Sequence, residues 1–269
     1  MLSFSSQKPI RRENGSVRAR KGVVDMEYAI KVEGLCKRYD NVWAVRDLDI
    51  LVPYGGSFGL LGANGAGKST AIECMLGTKK SDGGDVSILG MNPCSDRKRV
   101  FERVGVQFQE SSCQDKITVK ELCEVTSSLY RVPADYEELL RKFGISEKSK
   151  SVVGELSGGQ RQRLFTVLAL IPEPEVVFLD ELTTGLDSRA RREVIDYIRE
   201  LKQNGMTMLL TSHFMDEVEA LCDRVCVLKE GRAVFCGTVA EAVAATPFET
   251  FEDAYLWFTQ DEEGENEGV

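Results

Sequence analysis

The stretch 59-GLLGANGAGKST-70 decides how the rest of the chain is read. Gly62, Gly67, Lys68 and Ser69 stand in the spacing G-x-x-x-x-G-K-[ST]. Glycines let successive backbone N–H groups turn inward and close on phosphate oxygens. A helix beginning near Lys68 presents its positive end to the same anion. In this pattern the lysine, Lys68, reaches the β- and γ-phosphates, and the hydroxyl of Ser69 ligates Mg²⁺. The bland alternative is a glycine-rich turn that binds nothing. The context disfavours it: "SFGLLG" reads as a strand and residues 68–77 as a helix.

Working outward, the chain alternates strands and helices. "YAIKVEGL" and "VWAVRDLDILV" read as strands before the loop, and "SDGGDVSILG" and "VGVQF" as strands after it. Residues 118–143 read as mostly helical and more polar. A helix opens at "LSGGQ", with apolar residues at Leu164, Val167, Leu168 and Ile171. "EVVFLDE" is a continuous apolar run bounded by charge, as a fully buried parallel strand should be. "SRARREVIDYIRELKQNG" is an amphipathic helix stopped at Gly205. "MTMLLTS" is another buried strand, and "RVCVLKEGRAVFCG" is two strands around a Glu-Gly turn. Short links between alternating elements imply an α/β fold with a mostly parallel core sheet.

Composition narrows the classes. No run approaches the ~18 apolar residues of a membrane span, and the first fifteen residues have no apolar signal core. Residues 1–25 carry six Lys/Arg against two Asp/Glu, +4 in a chain of net charge −9, which leaves −13 on the rest. That acidic body argues against nucleic-acid binding. Residues 1–25 read as a disordered basic arm, and "MEYAIKVEGL" from Met26 as a domain start. The eight cysteines form no C-x-x-C pair, and one histidine does not support the usual mixed zinc sites. Cys222, Cys226 and Cys236 sit in apolar runs. They read as small, reduced, buried hydrophobes, which points to a cytosolic location.

Three further stretches carry candidate chemistry. "VVFLDEL" ends a strand in Asp180 and Glu181; beside a phosphate loop, one carboxylate suits Mg²⁺ and the next suits an attacking water. Ser157 in "VGELSGGQRQRL" fits a helix cap, yet Ser-Gly-Gly at a helix start is also a phosphate-binding surface. The helical insert keeps it from its own loop, so it would meet the loop of a second copy. His213, the chain's one histidine, follows a buried strand, where a packed histidine is the ordinary reading.

Together these motifs resemble the nucleotide-binding domain of an ABC transporter, over residues 28–238. The resemblance implies a P-loop NTPase fold of ABC type. Its parts would be an N-terminal antiparallel β subdomain, a domain over 26–245 with a helical signature subdomain at about 110–165, and a short C-terminal helix and acidic tail over 246–269. Tyr39 in "CKRYDNVWAV" sits where the family stacks an aromatic on adenine, and Val45 is placed beside it in the ATP site. Gly62, Ala63, Asn64, Gly65, Ala66, Gly67, Lys68, Ser69 and Thr70 match the Walker A loop. Gln109 in "VGVQFQES" matches the Q-loop, with Gln107 the alternative. Ser157, Gly158, Gly159 and Gln160 match the signature that acts in trans. Asp180 and Glu181 match Walker B, Glu181 as the catalytic base. Asp187 in "GLD" matches the D-loop acid. "TSHFMDEVEALCDRV" matches the switch segment, which puts His213 near the γ-phosphate and answers what it faces.

The resemblance implies ATP as substrate, and Mg²⁺ held by Ser69, Gln109 and Asp180, partly through water. It also implies a second ATPase subunit, most simply another copy, and a separate membrane permease that keeps the chain peripheral at the cytoplasmic face. The stretch 109–133 and "FETFEDAYLWFT" resemble the exporter branch for drugs, lipids and polysaccharides. A soluble ATPase uncoupled from transport and an importer subunit remain as alternatives. The chain departs from the family pattern at Leu182, where proline is usual, and at Gly56-Ser57, where a Gly-Glu pair is common.

Overall fold

A computed structural model describes residues 28–107 and 116–260. The basic arm, Gln109 and the acidic tail lie outside the described residues. Strands β1 (Tyr28–Tyr39) and β2 (Val42–Pro53) form an antiparallel hairpin, and β3 (Ser57–Gly62) runs through the phosphate loop into α1 (Lys68–Met75). Strand β4 (Gly83–Ile88) returns to the free side of β1 and completes a three-stranded antiparallel sheet, β2-β1-β4. Next come α2 (Arg97–Phe101), β5 (Val104–Gln107), α3 (Val119–Ser128), α4 (Tyr136–Lys142) and α5 (Gly158–Leu170). The chain continues through β6 (Val176–Asp180), α6 (Ser188–Gln203), β7 (Thr207–Thr211) and α7 (Met215–Leu221). It ends with β8 (Arg224–Lys229), β9 (Arg232–Gly237), α8 (Val239–Ala244) and α9 (Phe251–Thr259). The main sheet has the order β5-β6-β7-β3-β8-β9, parallel except for the last pair.

The continuous apolar runs become the strands covered on both faces. Every residue of β3, β6 and β7 is buried. Side chains alternate across a strand, so β6 serves two cores at once. Val176 and Phe178 join the cluster beneath the antiparallel sheet, with Ile30, Leu60 and Leu209. Val177 and Leu179 join the opposite cluster, shared with Val119 and Cys123 of α3, Leu139 and Leu140 of α4, and Val194 and Ile198 of α6. The helical insert therefore packs on the main sheet through a common core. Leu182, the departure from proline, is fully buried in that cluster.

Helix boundaries follow their caps. Thr118 and Glu121 make a reciprocal capping box at α3, and Asp187 caps α6 by accepting from the N–H groups of Arg189 and Ala190. Gly205, just past α6, has φ 94°, the left-handed conformation that ends helices.

Several elements differ from the sequence reading. Helices α2, α7 and α8 have only five, seven and six residues. That is too short for a clear apolar period, which needs a window of roughly 11 residues. The cysteine reading is corrected. Cys226 on β8 and Cys236 on β9 face each other across an antiparallel register, Cα–Cα 4.2 Å, and are joined as a disulfide. Cys94 and Cys236 are exposed, and Cys36 and Cys222 are half-buried. Cys236 shares the face of the buried Cys226 but lies on the edge strand of the sheet, where that face is open, and an apolar run does not reveal this. No helix among the described residues is long and apolar enough to cross a membrane.

Candidate functional site

Sheet order brings the motifs together. Strands β6, β7 and β3 are neighbours and parallel, so the segments leaving their C-terminal ends converge, as expected at the carboxyl edge of an open α/β sheet. Those segments carry Asp180 and Glu181, then His213, then the phosphate loop. A cavity of about 480 Å³ is lined by Ala44, Asn64, Gly65, Gly67, Lys68, Ser69, Thr70, Glu181 and His213. A larger cavity of about 590 Å³ lies at the opposite, N-terminal ends of β6 and β7, against Tyr54, Pro174 and Tyr197. It gathers none of these groups.

The loop needs its glycines for two distinct reasons. Gly67 has φ 106°, and a Cβ there would sit 2.0 Å from the Ala44 carbonyl oxygen. At Gly62 a Cβ would sit 2.4 Å from the Leu228 oxygen. Any side chain would push the loop off β2 or β8. The Lys68 Nζ donates to the Gly62 carbonyl at 2.7 Å and the Ala63 carbonyl at 3.1 Å. Burial pushes its pKa down, opposed by the charges of Glu181 and Asp180. A cation so placed lacks a full solvent shell and is poised to exchange carbonyl partners for phosphate oxygens.

Asp180 and Glu181 are both buried. The Ser69 hydroxyl donates to the Asp180 Oδ2 at 3.5 Å, and the Thr211 hydroxyl donates to Oδ1. Burial raises the Asp180 pKa, against the lowering effect of the Thr211 bond. Glu181 has φ 54°, a left-handed backbone that costs a non-glycine residue about 1 kcal/mol or more and recurs at functional sites. Its N–H donates to the Thr211 hydroxyl at 3.0 Å, and its Oε2 accepts from the Thr184 hydroxyl at 3.3 Å. The His213 Nε2 lies 2.9 Å from the Glu181 Oε1. His213 thus faces a carboxylate at the cavity wall and is not packed in the core.

Other expected site residues lie elsewhere. Tyr39 is 43% exposed, with the ammonium groups of Lys37 and Lys79 at 5.4 and 5.3 Å from its ring centre. Val45 is fully buried in the core, and it is Ala44 that lines the cavity. Gln107 is buried, its Oε1 accepting from the Thr166 hydroxyl at 2.8 Å. Ser157 caps α5 in a reciprocal box with Gln160. None of Ser157, Gly158, Gly159 and Gln160 lines the cavity. Asp187 is occupied as the α6 cap, and its bond from the Ala190 N–H holds its carboxyl below the usual range.

Sequence reasoning missed Thr211, Thr183 and Thr184. Thr211 bonds both Asp180 and the Glu181 backbone. The only signal was a hydroxyl residue ending a buried strand.

Comparison with known proteins agrees with this geometry. A family profile described as "ABC transporter" matches residues 45–184. The Nod factor export ATP-binding protein I of Burkholderia orbicola (strain AU 1054) is 40% identical over 203 residues, spanning 74% of this chain and 67% of that protein. The daunorubicin resistance ATP-binding protein DrrA3 of Streptomyces coeruleorubidus is 37% identical over 223 residues, 81% of this chain and 71% of that protein. Among solved structures, an ATP-binding subunit of an ABC transporter superposes with TM-score 0.79 at 25% identity, covering 86% of this chain and all of that one. The cassette MJ0796, in a dimeric post-hydrolysis state with ADP and Pi, shares the fold with TM-score 0.71 at 22% identity, covering 78% of this chain and 98% of that one. With its phosphate loop, buried carboxylates and histidine around one cavity, this chain belongs to the ABC transporter family as an ATP-hydrolysing, ATP-binding subunit.

Proposed function

We propose that the chain powers a separate membrane permease of the exporter type, working as a pair of copies that close on ATP. One observation carries the catalytic part: Lys68, Ser69, Glu181 and His213 converge from three adjacent strand ends on one cavity, with Asp180 bonded to Ser69. In this reading the inward N–H groups of the loop and the Lys68 ammonium hold the β- and γ-phosphates. Tyr39 offers an exposed ring to the base. The Glu181 carboxylate accepts a proton from the attacking water, and His213 holds that carboxylate and the γ-phosphate in register.

Mg²⁺ fits the residues present. Ser69 Oγ and Asp180 Oδ2 are oxygen donors brought together at the foot of the loop, which suits a hard cation that keeps several waters. Gln109 is proposed as a third ligand from outside the described residues. When bound, the ion would neutralise charge on the phosphates.

The exporter assignment draws on relatives named for Nod factor export and daunorubicin resistance. It places the chain at the cytoplasmic face of the membrane, held there by its permease. The test is fractionation after co-expression with candidate permeases. The chain should sediment with membranes only when its permease is present, and retention without any permease, or no retention with any of them, would overturn the assignment.

His213 gives a second expected result. His213→Ala should lower turnover about 10- to 100-fold, the worth of one hydrogen bond to a charged group. Its ring is one-third exposed, so ATP affinity and melting temperature should change little. Normal turnover by the folded variant would return His213 to a packing role.

A further inference from the structure

Glu217 is a buried carboxylate that the scheme above leaves unused. It lies on α7, has no solvent exposure, and does not line the nucleotide cavity. Burying a carboxylate is costly unless its oxygens are bonded. Its Oε2 accepts two hydrogen bonds, from the Thr183 hydroxyl at 2.7 Å and the Ser212 hydroxyl at 3.0 Å. Its Oε1 has no hydrogen-bond partner among the described residues. Thr183, fully buried, stands two residues after Glu181. Ser212 immediately precedes His213, and its hydroxyl also accepts from the Phe214 N–H at 2.9 Å. One carboxylate oxygen therefore joins the two backbone segments that carry the Glu181–His213 pair.

We propose that Glu217 is a positioning residue for ATP hydrolysis: its carboxylate ties the switch segment at Ser212 to the segment running from Glu181 to Asp187, and so sets how His213 meets Glu181. The proposal rests on the reading that Glu181 and His213 act at the γ-phosphate. The need for such a tie is local. Glu181 holds a left-handed backbone, which persists only where neighbours over-determine it. His213 is partly exposed. A shared acceptor behind both residues restrains them together, and hydrogen bonds to a charged acceptor are roughly twice as strong as neutral ones.

The tie also carries a charge that changes near neutrality. Burial pushes the Glu217 carboxyl up to about 7, against the lowering effect of the Thr183 and Ser212 bonds and the charge of Arg191. The titratable and charged groups facing it are Arg191 from α6 and Asp216 and Cys222 beside it on and just past its own helix. Thr183 and Ser212 do not titrate. Above about pH 7 the ionised group accepts both bonds with full charge. Below that pH it is neutral and the tie weakens. Turnover supported by Glu217 therefore rises with pH through this range, and a neutral amide of the same shape removes the rise.

Steady-state kinetics of the full chain between pH 6 and 8.5, together with ATP affinity, test this. Glu217→Ala should lower kcat by about tenfold or more, the loss of a charged hydrogen-bond acceptor, with ATP affinity within about threefold. Glu217→Gln should match the parent at pH 6 and fall behind it by about three- to tenfold at pH 8. Should Glu217→Ala fail to fold, Thr183→Val removes one donated bond at constant shape and should still lower kcat about threefold with affinity unchanged. An unchanged kcat in Glu217→Ala or in Thr183→Val, or a constant ratio of Glu217→Gln to parent across pH, overturns the proposal. Lys68→Ala in the same assay separates the two levels. A parent rate that does not depend on Lys68 overturns the site reading and the tie with it, whereas a Lys68-dependent rate that ignores Glu217 overturns the tie alone.

Discussion

Lys68→Ala should lower ATP turnover by about 100- to 1000-fold, the usual loss when one preorganised donor is taken from a site of developing charge. Lys68 is 7% exposed, and its ammonium is already aimed at the loop through the Gly62 and Ala63 carbonyls. Removing it leaves the inward N–H groups as the remaining donors to the phosphates. The fold should survive. The lysine is held at a desolvation cost, so the truncation also relieves an unfavourable burial. Phosphate release with and without the substitution, alongside the far-ultraviolet circular dichroism of both proteins, checks this. Unchanged hydrolysis in the folded variant would remove the phosphate-loop assignment.

Glu181→Gln should trap an ATP-dependent dimer. The amide keeps the side chain's shape and its place beside His213 but is a far weaker base, and loss of a general base costs about 10²- to 10⁴-fold in the chemical step. ATP then outlasts closure. With Mg-ATP the variant should run as a dimer in size exclusion and light scattering, and as a monomer without nucleotide. The partner surface is the start of α5, where Ser157 and Gly158 are exposed and free N–H groups meet a positive helix end. Adding Ser157→Arg should abolish the dimer by placing bulk and charge at that end. Ser157 is also the α5 cap, and losing a cap costs about 1 kcal/mol, so melting curves of the double variant belong in the experiment. Absence of an ATP-dependent dimer in Glu181→Gln would mean that another cassette or the permease is needed for closure. Equal dimerisation with Ser157→Arg would refute the composite site.

Much of the fold was legible because it rests on local rules. Strands β3, β6 and β7 announce themselves as short apolar runs bounded by charge or glycine, since both of their faces are covered. Helix α6 has an amphipathic period long enough to read and a glycine stop. Helices α7 and α8 escaped because one or two turns hold too few residues to show a period. The exposure of Cys236 escaped because the composition of β9 does not say that it forms the edge of the sheet.

The sequence by itself determined the chemistry available: a phosphate loop spelled by its glycines and Lys68, a carboxylate pair after a buried strand, a lone histidine after another, and a cap that doubles as an anion surface. Glycine spacing and apolar runs act over a few residues, so one chain displays them directly. Only the tertiary structure decided which of these groups meet. Strand order places β7 between β6 and β3, and this brings His213 to within 2.9 Å of Glu181 and Ser69 to within 3.5 Å of Asp180. It also turned Val45 into the core and set Glu217 behind two loops. The pairings at the site join residues 32 to 111 positions apart. Their pairing is set by packing the whole sheet, and no local pattern encodes it.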